Sequence, residues 1–250
     1  ERDTVLFDLL ARGLTLTHRP YAAVELERGE LDVARIPVLW AMVGPQCKAE
    51  TQRKLIDYVR RGGRLILAGR MCVEGFDHQP CTLLKDALGI EAIDTDIPLG
   101  THVITIFGQS DVPVNFLETY TGDFAEVFAT RDRGEVVGFI KTLGAGEALV
   151  LGAGLTTGAV EDLALFDQLA TRMGCPALFS AEPWVDLRLS AGDRGSFVFA
   201  ANYLEDPVES VITYRDQPLF GGRPIRLNGR RGAILPIEWR LTDDVTVHYL

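Results

Sequence analysis

The chain has 250 residues, 47% hydrophobic and 24% charged, the proportions of an ordinary globular protein with a sizeable core. Its formal net charge of −10, from 25 Lys and Arg against 35 Asp and Glu, argues against nucleic acid or an anionic membrane surface as a partner. No apolar run approaches the ~20 residues that span a bilayer, and the amino terminus lacks the basic, apolar, small-residue order of a signal peptide. The first residue is Glu1 rather than Met, so a processed product or a piece of a longer protein is expected. Four cysteines (Cys47, Cys72, Cys81, Cys175) are too sparse for a disulfide scaffold, and free thiols fit a reducing cytoplasm.

Asp3 to Arg12 places Val5, Leu6, Leu9 and Leu10 on one helical face, with Gly13 positioned to end the helix. Tyr21 to Leu26 is a short strand candidate. Ile36 to Met42 is an unbroken apolar run, short enough for a strand buried on both faces. Leu55, Ile56 and Val59 then recur at helical spacing, with Glu50 early and Arg60 and Arg61 late, as the helix dipole favours. Gly62 falls where a left-handed residue ends a helix, and Leu65 to Ala68 is a second apolar run. Ile36 to Gly69 therefore predicts a strand–helix–strand unit of a parallel sheet.

The loop Arg70 to Pro80 follows the second strand, where open α/β sheets carry their sites. Cys81 to Leu88 is a short amphipathic helix stopped by Gly89. From Thr101 the texture is β-like: Val103 to Phe107, Ala125 to Ala129, Glu135 to Thr142 and Glu147 to Leu151, the last expected to rejoin the sheet. Val160 to Met173 is a closing helix with Leu163, Phe166, Leu169 and Ala170 inward. Pro176 and Pro183 bracket a domain boundary near residue 180. Beyond it, short alternating strands from Trp184 to Tyr249, separated by Gly- and Asn-containing turns, predict a small antiparallel sandwich.

Few residues have the setting that catalysis needs. A nucleophile elbow wants Gly two residues either side of a Cys or Ser, and none of the four cysteines has it. Cys72 comes closest in position, after the RLILAG strand. Ser110 has Gly108 before it but Val112 where the second Gly belongs. None of the four histidines is followed two residues later by an acid, so a triad is poorly supported. Cys72, His78 and Cys81 match no zinc spacing, and no metal is expected. Gly152, Gly154 and Gly158 lie between a strand and a helix as in a dinucleotide-binding turn, with Glu182 as the ribose acid. The following stretch is a poor second strand, so a tight turn is preferred and no cofactor is expected. No Asn-Glu pair and no eightfold strand–helix repeat is present, so a glycosidase barrel is excluded.

The order of motifs is more informative. An apolar strand, a helix ending YVRRGGRLILAG, a loop and then QPCTLLKDALGI resembles the middle domain of bacterial β-galactosidases of glycoside hydrolase families 42 and 35. GEALVLGAGL resembles that domain's last strand, and GSFVFAANYLEDPVESVITY with ILPIEW resembles the small sandwich that follows. The resemblance implies a class I glutamine amidotransferase-like, flavodoxin-like α/β domain with a mainly parallel sheet over residues 1–180, and a β-sandwich over 181–250. It further implies a non-catalytic structural and oligomerisation region, a trimer being expected, of an enzyme that hydrolyses terminal β-galactosides. The catalytic barrel would be its partner and would supply both glutamates. On this reading Arg70, Met71, Cys72, Glu74, Phe76, Asp77 and His78 form an interface or sugar-proximal loop rather than a catalytic one. Two alternatives stay open. A carbohydrate-binding module would use Trp184, Tyr203 and Trp239 as a stacking platform, although core aromatics are the preferred reading. An independent amidotransferase-like enzyme would work through Cys72.

Overall fold

Strand β1 (Val38–Ala41), helix α2 (Ala49–Arg60) and strand β2 (Arg64–Ala68) form the parallel unit read from Ile36–Gly69, with Leu39 opposite Leu65 and Trp40 opposite Ile66. A short helix at residues 10–16 (α1) precedes them in the chain. The amphipathic pattern of α2 does its work through Leu55, Ile56, Tyr58 and Val59, all buried. Glu50 and Arg60 sit at the ends that the helix dipole favours. Gly62, at φ +104°, ends the helix, its N–H donating to the Val59 carbonyl. The structure, a computed structural model, describes residues 10–96, 102–155, 160–193, 195–242 and 245–248.

Contacts divide the chain into two units. The first takes Ala23–Asp162 with Arg172–Gly174; the second takes Leu10–Ala22, Leu163–Thr171 and Cys175–Leu250. In the first unit, helix α3 (Leu83–Ala87) leads to β3 (Ile90–Asp96), β4 (His102–Ile106), β5 (Gln109–Gly122), β6 (Glu126–Thr130), β7 (Val136–Leu143), β8 (Gly146–Leu151) and β9 (Ala153–Leu155). Strand β8 rejoins the sheet, pairing parallel to β2 and antiparallel to β7.

The mainly parallel, flavodoxin-like, amidotransferase-like sheet does not form. Among the described strands only β1, β2 and β8 make parallel pairs; β3 to β7 and β9 pair antiparallel. Strands β4, β5, β7 and β6 close on themselves through β4–β5, β5–β7, β7–β6 and β6–β4 pairings, a small barrel. Connection length explains the difference. A parallel neighbour needs a crossover of about a dozen residues or more. Between β2 and β8 the described residues offer one five-residue helix and then tight turns at Phe107-Gly108 and Gly144-Ala145, which reverse the chain.

Two local expectations also fail. Tyr21 to Leu26 is not a strand. Gly13 does not end α1, which continues to residue 16; a Cβ there would lie 2.9 Å from the Phe166 ring, so the glycine serves close packing. In the glycine run after β8, the described part packs closely. A Cβ on Gly152 would lie 2.4 Å from the Glu118 carbonyl, so that glycine lets two strands approach; residues 156–159 lie outside the described chain.

Helix α4 (Val160–Arg172) buries Leu165, Phe166, Leu169 and Ala170. The second unit continues with β10 (Phe179–Glu182), β11 (Asp186–Gly192), β12 (Gly195–Asn202), β13 (Val208–Tyr214), β14 (Gln217–Pro218), β15 (Ile225–Leu227), β16 (Arg231–Thr242) and β17 (Val245–His248). They make two antiparallel sheets, one of β10, β13, β14 and β15, the other in the order β11-β12-β16-β17. Phe179 and Ile212 from the first and Leu187, Val198 and Ile237 from the second share one core. Strands β10 and β11 are edge strands, each paired on one side.

Candidate functional site

The loop after β2 is fastened at its start and open at its tip. Its backbone joins two neighbours: Val73 and Glu74 N–H donate to the Pro45 carbonyl, and Cys47 N–H to the Glu74 carbonyl. Gln52 on α2 donates to the Cys81 carbonyl at 2.9 Å and accepts from Leu84 N–H at 2.9 Å. Met71 and Cys72 are buried, whereas Phe76 is 58% exposed and Asp77 and His78 lie at the surface. The tip carries its own contacts: His78 Nδ1 lies 2.9 Å from Gln46 Nε2 and 3.7 Å from Glu74, and the Lys48 ammonium stands 5.8 Å from the Phe76 ring centre. The seven nominated residues thus divide. Met71 and Cys72 belong to the core, Phe76, Asp77 and His78 to the surface, and Arg70 and Glu74 lie between.

Glu118 on β5, absent from the nominated set, anchors the loop. Only 2% exposed, it accepts from Met71 N–H at 2.8 Å, Arg70 Nε at 3.4 Å, the Thr95 hydroxyl at 3.4 Å and the Tyr120 hydroxyl at 3.3 Å. Burial raises its carboxyl pKa against the opposing pull of Met71 N–H and Arg70. Burial, then the Glu118 charge, pushes the Tyr120 phenol well above its ordinary range. With 2% exposure and four donors on its carboxylate, Glu118 is engaged by the chain's own groups rather than open to a glycosidic bond. The residue is a clamp between β5 and the loop. A sequence signal for it exists: it shares the even-numbered parity of the buried strand residues Val112, Val114 and Tyr120.

Cys72 is 0% exposed. A hydrogen bond with the Cys47 thiol, then burial, pushes its own thiol far up, and the same bond lowers Cys47. A nucleophile needs the reverse, an exposed thiol with a depressed pKa. We expect iodoacetamide at mildly alkaline pH to modify Cys81 and Cys175, both partly exposed, at least about tenfold faster than Cys72. Peptide mapping by mass spectrometry checks this, and native labelling of Cys72 at the rate of Cys175 refutes the buried placement.

In the second unit Trp184 and Tyr203 are 40% and 66% exposed, so the core reading fails for both. The Trp184 ring stacks on His18 at 5.7 Å, and its Nε1 donates to the Leu16 carbonyl. The Tyr203 hydroxyl donates to Asp186 Oδ2 at 2.9 Å. The Trp239 side chain lies outside the described residues.

Over 94% of its length the chain superposes on a GH42 beta-galactosidase from G. stearothermophilus with a TM-score of 0.75 at 16% identity, using 36% of that protein. The beta-galactosidase of Rahnella sp. R3 gives a TM-score of 0.74 at 17% identity, over 92% of this chain and 36% of that one. These likenesses establish a shared fold. Closer kinship comes from sequence: residues 1–124 match the family model described as GLMA-like, second domain. A Beta-1,2-glucosyltransferase of Ignavibacterium album is 29% identical over 206 residues, 81% of this chain and 28% of that protein. An Exo-beta-D-glucosaminidase of Thermococcus kodakarensis is 34% identical over 87 residues, 34% of this chain and 11% of that protein. The chain therefore spans between about a tenth and a third of these relatives. Among the described residues no helix is long and apolar enough to cross a membrane.

Proposed function

We propose that this chain is a non-catalytic structural and oligomerisation region of an enzyme acting on β-linked sugars, in the manner of the second-domain family that its first half matches. One observation carries the reading: nearly the whole chain corresponds to about a third of each multidomain GH42 enzyme and of the Ignavibacterium relative. The buried, fully engaged carboxylate of Glu118 and the inert setting of Cys72 fit a supporting role, and the latter weighs against amidotransferase chemistry. The resemblance to β-galactosidases suggested terminal β-galactosides; the sequence relatives favour a gluco-configured sugar for the parent enzyme. On this reading the division near residue 180 separates the α/β-containing scaffold from the all-β region. The catalytic barrel and further copies of the chain, in a trimer, are the partners. The exposed loop tip, Phe76 to His78, meets one of them, and the four free thiols suit the cytoplasm.

Sedimentation velocity over a wide concentration range tests the assembly. We expect concentration-dependent trimers that Phe76→Asp weakens, with its circular dichroism unchanged. A strict monomer at every concentration refutes oligomerisation. Turnover of a chromogenic β-galactoside or β-glucoside by this chain refutes the non-catalytic role.

A further inference from the structure

The open edge of the second unit carries a cleft that the scaffold role does not use. About 340 Å³ in volume, it lies between the edge strands β10 and β11 and is walled by residues 15–21. Its lining includes His18, Arg19, Tyr21, Phe179, Asp186 and Arg188. The volume falls at the lower end of small-molecule sites, about 300–1,000 Å³.

Asp186 is the unusual group. It is 3% exposed, and only one of its oxygens is engaged: Oδ2 accepts from Tyr203 at 2.9 Å and from Arg188 Nε at 3.2 Å. Oδ1 is buried without a partner. A buried carboxylate oxygen left without a protein donor carries a free-energy cost that a donor entering the cleft would relieve. Arg188 meets Asp186 through Nε, and its side chain, 64% exposed, helps line the cleft. Arg19 is not available to a ligand. Fully buried, it is spent on Asp167, Thr171 and the Cys175 carbonyl and serves to pin the wall. His18 is likewise held, with Nε2 at 2.7 Å from the Val185 carbonyl.

Charge selects the ligand class. Asp186 and Arg188 cancel each other, and Asp167 balances Arg19, so neither an anion nor a cation finds an uncompensated partner. A fixed acceptor beside a flexible donor matches adjacent hydroxyls on a neutral ring. Tyr21, 48% exposed, supplies an aromatic surface at the mouth. We propose that this cleft binds a saccharide ring, with Asp186 accepting from one hydroxyl, Arg188 donating to its neighbour and Tyr21 covering an apolar face of the sugar. The inference rests on the second unit alone and stands whether or not the chain oligomerises.

Calorimetry of the whole chain with cellobiose, lactose and a β-1,2-linked glucose disaccharide tests it, with sodium phosphate and calcium chloride in parallel. Saturable heat is expected for at least one disaccharide and for neither salt. Tyr21→Ala should weaken binding by about tenfold or more without moving the thermal midpoint, and Arg188→Ala should weaken it as much while lowering the midpoint, because Asp186 loses a partner. Asp186→Asn should abolish it; if that variant does not fold, the two exposed ones decide. No saturable heat from any saccharide, binding of phosphate or calcium instead, or saccharide binding unchanged in both exposed variants overturns the proposal.

Discussion

Tyr58→Ala is expected to lower the stability of the first unit by about 4 kcal/mol, in the range of large-to-small changes at fully buried aromatics. Tyr58 is 0% exposed, and a Cβ added to Gly63 would lie 2.4 Å from its ring, so the glycine and the ring interlock where α2 turns into β2. Its hydroxyl donates to the Ile36 carbonyl at 2.9 Å and lies 3.3 Å from the Arg64 carbonyl, tying the chain before β1 to the start of β2. Burial pushes the phenol up to about 12, so it remains a neutral donor throughout the working pH range. Tyr58→Phe keeps the ring and loses the hydrogen bonds, an expected cost of about 1 kcal/mol. Hydrogen exchange of the β1 and β2 amides reads both variants in the unit concerned. A loss under about 1 kcal/mol for Tyr58→Ala would mean that the ring does not organise the unit.

The same unit shows how far the amino-acid order reaches. Strand, helix and strand within Ile36–Gly69 follow from one apolar run, one helical period and one glycine, all local signals. Strand β8 was legible as an apolar run, and its position beside β2 follows from burial on both faces. What local pattern did not reveal is the antiparallel barrel. Strand β5 is 14 residues long, but Pro113 and Asn115 are poor strand formers, and the alternation is interrupted where Leu117 and Glu118 are both buried, beside a register shift between Val114 and Leu117. Strand β3 (IEAIDTD) buries little beyond Ile90 and so lacks an apolar signature. The resemblance to amidotransferase-like domains extended the parallel order past the point where the connections allow it. The second-unit cleft was illegible for another reason: residues 15–21 and Asp186 are more than 160 positions apart, and only the tertiary structure brings them together.

Glu118 should make the stability of the first unit fall as pH rises from mildly acidic values. The sign follows from proton linkage: its folded pKa is raised above the reference of 4.5, so between the two values the native chain holds the proton more tightly than the unfolded one. The group's stabilising contribution is complete below about 4.5 and is lost as pH rises through the raised folded value. Glu118→Gln removes that dependence. Its amide oxygen still accepts from Met71 N–H, and Arg70, with 38% of its side chain exposed, turns to water. The expected change at neutral pH is under about 1 kcal/mol, because loss of the Arg70 pair offsets relief of the buried charge. Glu118→Ala has no such offset. It leaves Met71 N–H and the Tyr120 hydroxyl without an acceptor in a closed interior, an expected loss of about 3 kcal/mol. Urea unfolding of the three proteins from acid to neutral pH, taken as differences from wild type, separates these effects. Parallel stability curves for wild type and Glu118→Gln would show that the carboxyl titrates as in solvent. An Ala variant as stable as the Gln variant would show that the loop after β2 is not clamped by β5 at all.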